Sequence, residues 1–570
     1  MNSNMNALPG RQTISRLILM AAILLSGIAW IVTATPAAAN TINVTTTADE
    51  LNSAGDCSLR EAIRAANLDQ RVDGCTAGNG ADIINLPAGT YDFSTALIGT
   101  GEDEALTGDL DIRDDLTIIG AGMGSTIIDA NYYDRVFHLL SAGNVTLAGV
   151  TITQGDAHDN YGGGIYVAGS NLTLIDSEVK NSRTGFGTGG GLYNGGGIAI
   201  RFVSAVTVVN SRVHLNTSAG GGGGIAVGAN TVESSSLTLR DSRVDHNEAI
   251  TGGGIYNLRP LTVTGSLIDN NLANAGSQGG GGIYSGSTAF ISNSTISGNS
   301  SNSQGGGIAA SSEVPIFLYN VTITGNTADE DNLLPAGDGG GISNNNGHVY
   351  LRNSLIAGNF DKSTASKILD CAGTFDSDDY NLIQSAAGCT LTGDTSHNLI
   401  GVDPFLQALA DNGGPTETHA VSSASPAVAT GDPDGCLDHQ GELSTDQRGF
   451  VRPVQGHPAG GPICDIGAYE HDSPGPPTTT PTSIPTATFN PPSTPTATPT
   501  DGQSATPSAT VTDGPSPTPS ATATDGPSPT PSATATEGPS PTPSATPTEG
   551  PSPTPFAATD WVYFPVSLDQ

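Results

Sequence analysis

Leu237-Thr238-Leu239-Arg240-Asp241-Ser242-Arg243-Val244-Asp245-His246-Asn247-Glu248-Ala249 is one copy of a phrase that returns along the middle of this chain. Another copy is AFISNSTISGNSS, residues 289–301. A glycine run that closes on one aliphatic residue punctuates the copies, as at Gly162-Gly163-Gly164-Ile165-Tyr166. The β-branched residue anchors the alignment: Ile152, Val179, Val213, Val244, Ile268, Ile296, Ile323 and Ile356. The step between anchors is as short as 24 residues (Val244 to Ile268) and as long as 34 (Val179 to Val213). Variable total length with fixed local spacing means one stacked element joined by tolerant loops.

The positions around the anchor are regular. Three residues before it stand Asp176, Asn210, Asp241, Gly265, Asn293, Asn320 and Asn353. Three residues after it stand Asn216, Asn247, Asn271, Asn299, Asn326 and Asn359; the Val179 copy departs, with Ser182 there and Asn181 one place early. Asn and Gly accept left-handed backbone at corners. Stacked coils bring identical side chains to about 4.8 Å, where amides can bond along the column. The pattern predicts an all-β chain: a right-handed parallel β-helix of roughly nine or ten coils, with aliphatic columns inside and Asn at the bends. A glycine-rich calcium-binding β-roll is disfavoured, because Asp does not recur after the glycines.

The flanks differ from the repeats. Arg11, Arg16 and the apolar run 17–34, closing on Ala37-Ala38-Ala39-Asn40, have the layout of a secretory signal peptide over 1–39. Residues 40–105 form an N-terminal cap, in which Ser58 and Glu61 have capping-box spacing and Leu59, Ile63 and Ala66 share a helical face. The repeats occupy 106–360 and a cysteine-bearing C-terminal cap 361–470. A Pro/Thr/Ser-rich spacer follows over 471–556, expected to be disordered and extended. A short apolar tail, 557–570, is too short to span a bilayer, so no transmembrane span is expected once the signal peptide is cleaved. Six cysteines allow fifteen pairings. The sequence-local choice is Cys57–Cys75, Cys371–Cys389 and Cys436–Cys464.

The phrases CSLREAI at 57–63, TGDLDI at 107–112 and DLTIIGAG at 115–122 resemble the start of bacterial CSLREA-domain secreted proteins. The GGGIY and V/I-x-x-N phrases are similar to the repeats of polymorphic outer membrane proteins, with Val or Ile in place of their Phe. DNGGPTETHAV (411–421), STDQRGFVRP (444–453) and CDIGAYE (464–470) resemble the choice-of-anchor Q domain. The resemblance implies a pectin-lyase-like β-helix at or beyond the cell surface. It implies no particular reaction.

The formal net charge of −36 opposes nucleic-acid binding, which draws on basic side chains. An acidic surface also has the chemistry to hold calcium; no other cofactor is evident. Phosphate loops, nucleophile elbows and H-E-x-x-H are absent from the sequence. Residues flanking the anchors should point outward on one sheet. They give Lys180, His214, Asp245 and Asp269 on one side and Glu178, Arg212 and Arg243 on the other. If this patch is catalytic, Arg or Lys would abstract a proton beside a uronate carboxylate, or paired Asp residues would act as acid and base. A second column, Tyr166, Tyr193, Tyr256 and Tyr284, offers aromatic platforms for sugar rings if the rings are exposed. Two readings follow: a surface-displayed, non-enzymatic β-helix in contact with glycans or cell surfaces, or an extracellular lyase or glycoside hydrolase acting on acidic polysaccharide.

Overall fold

The computed structural model describes residues 39–475 apart from 100, 159, 186–193, 229–233, 275–277, 312, 332–338, 364–366, 455–462 and 474. The leader, the spacer and the tail fall almost wholly outside these residues, and so does Tyr193. The described chain is a parallel β-helix with three stacked faces. Its sheets have 20, 12 and 8 strands.

The twelve-stranded sheet carries the anchors and is called here the anchor sheet. Val179 pairs in parallel with Ile152 on one side and Val213 on the other, and the register holds through Val244, Ile268, Ile296, Ile323 and Ile356. All eight anchors are fully buried. The column continues to Ile128 at one end and to Ile383 at the other. The stack thus outruns the phrases that announced it, because the outer coils keep the inward aliphatic residue but lose the glycine run. On the twenty-stranded face a second aliphatic column runs from Ile165 through Ile198, Ile225, Ile255, Ile283 and Ile308 to Ile342.

The corners take the predicted backbone. Asp176, Asn210, Asp241, Gly265, Asn293, Asn320 and Asn353 all have φ between 45° and 63°. The later Asn column is a buried ladder. The Asn247 backbone N–H and side-chain Nδ2 both donate to Asn271 Oδ1 at 3.0 Å, and Nδ2 also donates to the Val213 carbonyl at 2.9 Å. The pattern repeats to Asn359, whose amide donates to Asp370 Oδ1 at 2.9 Å. Every such amide is paired, which is the condition for burying it. At the irregular Val179 coil, Asn181 takes the left-handed corner (φ 50°) and the Ser182 N–H donates to Asn216 Oδ1.

The glycine run answers to close approach. A Cβ on Gly163 would sit 2.4 Å from the Arg183 carbonyl oxygen, and one on Gly164 would sit 2.7 Å from Val179 Cγ1.

The expected helical cap spans Leu59–Leu68, and its capping box is formed by Ser58 and Glu61. Arg60 is buried; it grips Asp49 at 2.6 and 3.1 Å and donates to the carbonyls of Gly108 and Asp109. All three disulfides form in the sequence-local pairing.

Residues 361–470 divide in two. Cys371–Asp378, Gly388–Asp394, Leu382–Ile383 and Leu399–Ile400 add further strands to the stack. From about residue 403 the chain turns back along the outer face of the anchor sheet. Ala468 N–H donates to Thr322 Oγ1, Thr295 Oγ1 to Gln447 Oε1, Ser297 Oγ lies 2.8 Å from His419 Nε2, and Thr416 Oγ1 donates to the Gly265 carbonyl. Fully buried Arg452 pins this return: it bonds Glu470, Asn293 Oδ1 and the carbonyls of Asp465 and Gly467. Among the described residues, no helix is long and apolar enough to cross a membrane.

Candidate functional site

The return segment stops short of the early coils and leaves a groove there. Its cavity is about 300 Å³, floored by Glu178, Asn210, Ser211, Arg212, Asp241 and Arg243, with Met123 and Pro415 at its sides. Strand register sets the floor. Glu178, Arg212 and Arg243 are cross-strand neighbours on one side of the anchors, and Lys180, His214, Asp245 and Asp269 on the other.

The seven charged candidates resolve into two groups of bonded charges. In the first, Glu178 accepts from His214 Nε2 at 2.6 Å and pairs with Lys180 Nζ at 2.7 Å. In the second, Arg212 bonds Asp245 through two nitrogens at 2.7 and 2.6 Å. Arg243 bonds Asp269 in the same way at 2.8 and 2.7 Å, and also lies 3.4 Å from Asp245 and 3.0 Å from Glu417. Asp245 and Asp269 are 0% exposed, so the expectation of an open column of side chains is corrected. They point out of the coil but are covered by the arginines above them.

The protonation states follow from these bonds. The His214 hydrogen bond, with help from Lys180, outweighs burial and holds the Glu178 carboxyl at about 2. Burial pushes Asp245 up, but the Arg212 bond and the Arg243 charge overcome it and leave it lowered. At Asp269 burial wins over Arg243, and the pKa is raised. The Asp245 bond raises Arg212; at Arg243 burial is the largest influence and lowers it, but the bond to Asp269 and the charges of Asp269, Asp245 and Glu417 together overcome it and leave it raised. Ionised Glu178 and Asp245 do not donate protons, and arginines raised further are poorer bases. The arrangement suits fixed hydrogen bonding to a ligand better than proton transfer.

Sequence reasoning missed Glu417 and His246. Glu417 arrives from the return segment, far along the chain, and no local pattern announces it. His246 sits at a left-handed corner with Nδ1 2.7 Å from Asp245 Oδ2.

The tyrosine column is corrected as well. Tyr166, Tyr256 and Tyr284 are buried. Tyr256 and Tyr284 stack on each other at 4.8 Å, and Tyr166 stacks on His138 at 4.8 Å. These rings cover the sheet in place of offering an open platform.

Residues 124–282 match the family model described as right handed beta helix region. The chain is a right-handed parallel β-helix over the coils that carry the groove. No curated protein matches it. Among solved structures, a pectate lyase, Pel9A, is similar at 14% identity and a TM-score of 0.40, covering 76% of this chain and 96% of that one.

Proposed function

We propose that this chain is a secreted or surface-displayed β-helix that binds glycan in the groove above Arg212 and Arg243, without cleaving it. One observation carries the reading. Each arginine is clamped by an unexposed aspartate, yet Arg212 keeps 39% of its side-chain surface in contact with solvent. Its remaining N–H groups are therefore held in fixed directions at the groove, which cuts the ordering cost of binding. With Asp245, Asp269 and Glu417 beside Glu178 and Asp241, carboxylates outnumber the lysine and arginine side chains at the groove, so the ligand is a neutral, hydroxyl-rich chain in preference to a polyanion.

Three disulfides and an acidic surface support an extracytoplasmic location. In this reading 1–39 directs export, 40–105 and 361–470 close and cover the solenoid at 106–360 in the manner of CSLREA and choice-of-anchor Q proteins, and 471–556 spaces it from the tail at 557–570. The opposing reading, a polysaccharide lyase or hydrolase, draws on Asp269, whose raised pKa suits a general acid. Incubating the full chain with neutral and acidic polysaccharides, with and without calcium, separates the two. Retention of a neutral glycan without new chain ends is expected. New reducing ends or unsaturated uronates would overturn the binding-only reading.

A further inference from the structure

The phrases CSLREAI and TGDLDI lie far apart in the sequence and meet in space. Arg60 holds the Gly108 and Asp109 carbonyls at 2.8 and 3.2 Å. Arg64 donates to the Glu104 carbonyl, and Arg113 to that of Asp103 at 3.2 Å. Glu102 folds the same loop around its carboxylate by accepting from the N–H groups of Leu106 and Thr107. The loop is thereby held over the first coils, with Asp103 and Asp111 brought to one point.

At that point stands His138, the cross-strand neighbour of Asp111. His138 Nδ1 is 3.3 Å from Asp111 Oδ1 and 3.8 Å from Asp103 Oδ1, and one ligand atom from each residue lies within 4.8 Å of the others. Asp111 is 0% exposed. Its Oδ2 accepts from the Ala105 N–H, while the buried Oδ1 has no such donor and meets only the His138 ring, in an ion-pair contact. His138 Nε2 is buried without a partner. The Asp111 Oδ1 atom, buried with only the His138 ring beside it, is costly unless something occupies the space between the ligands.

We propose that Asp103, Asp111 and His138 bind a divalent transition-metal ion that fastens the 101–108 loop to the first coils. Donor atoms about 2.0–2.1 Å from zinc in a tetrahedron stand about 3.3 Å from each other. The Asp111–His138 distance already has that value, and the Asp103 distance needs a small side-chain rotation. Asp103 is 63% exposed, which supplies both the entry path and the freedom to rotate. The imidazole nitrogen selects against calcium, which takes oxygen ligands, and favours zinc-like ions. Arg60, Arg64 and Arg113 orient the loop by its backbone and leave the carboxylates free to ligate, as outer-shell groups do in metal sites.

The test uses the untagged full chain, freed of metal by chelation and titrated with Zn²⁺ by calorimetry, with Co²⁺ as a visible-absorption probe. One equivalent should bind, with affinity reduced at least about tenfold in Asp103→Asn and in His138→Gln. Zinc should slow proteolysis within 101–108 in the parent chain and not in either variant. Asp103 is exposed, so its variant should fold even if His138→Gln does not. Absence of stoichiometric binding would overturn the proposal. So would affinity and proteolysis that are unchanged in Asp103→Asn.

Discussion

Two polar columns run along the same coils and behave in opposite ways. The inner one, Asn216 to Asn359, uses the same amide at each level and satisfies it identically. The outer one changes residue at nearly every coil: Glu178 with Lys180 and His214, Arg212 with Asp245, Arg243 with Asp269, then Thr295 and Ser297 under the return segment. A buried amide has one good solution, so the sequence repeats it. An outward charge has many solutions, set by whichever neighbour arrives, so the sequence is free there to serve a ligand.

The comparison breaks most visibly from the inside. Asn271→Ala would strand the donors of Asn247 and the Val244 carbonyl, and should cost about 3–5 kcal/mol in a denaturant melt of the whole stack. Loss under about 1 kcal/mol would mean that water replaces the ladder. Next is the pin of the return segment. Arg452→Met removes the cation beside Glu470, which keeps the Val454 and Asp465 N–H donors, and takes their Arg452 donor from the Gly467 carbonyl and Asn293 Oδ1; it should cost about 3–5 kcal/mol. The loss should be local: amides in 403–472 should exchange faster while those of the Asn column do not. Uniform exchange would show that the segment and the solenoid unfold as one.

The outer charges respond to pH with opposite signs. Burial, then the Glu470 charge, raises Asp465 to about 7, above its ordinary 3.8. The folded state there binds the extra proton, so this contribution is full below about 3.8 and is lost as pH rises through about 7. Proteolysis of the return segment should quicken over that window, and Asp465→Asn should flatten the profile. Glu178 is depressed from 4.5 to about 2, so its contribution is present above about 4.5 and lost as pH falls through about 2. Glu178→Gln should remove that acid-side loss from the melting profile. The smallest effect expected is Ile296→Val in the anchor column, about 1 kcal/mol in the same melt.

The contrast also explains what could be read from the chain. The aliphatic anchors, the left-handed corners, the Asn ladder, the capping box at Ser58 and Glu61, and the cysteine pairs each express a constraint acting within a coil or between adjacent coils. Periodicity and short spacing reveal such constraints. The burial of Asp245, Asp269 and the tyrosines was not legible. It depends on side chains reaching across coils and on a segment returning from more than a hundred residues away, as with Thr295 and Gln447. Glu417 beside Arg243 and the meeting of Asp103, Asp111 and His138 escaped for the same reason.

The most direct test of the outer column's role is retention of a neutral polysaccharide by the full chain and by Arg212→Ala, with reducing ends assayed in the same samples. The account predicts saturable retention that weakens at least about tenfold in the variant, with no new ends in either. Equal retention by both chains, or release of new ends by the parent chain, would contradict it.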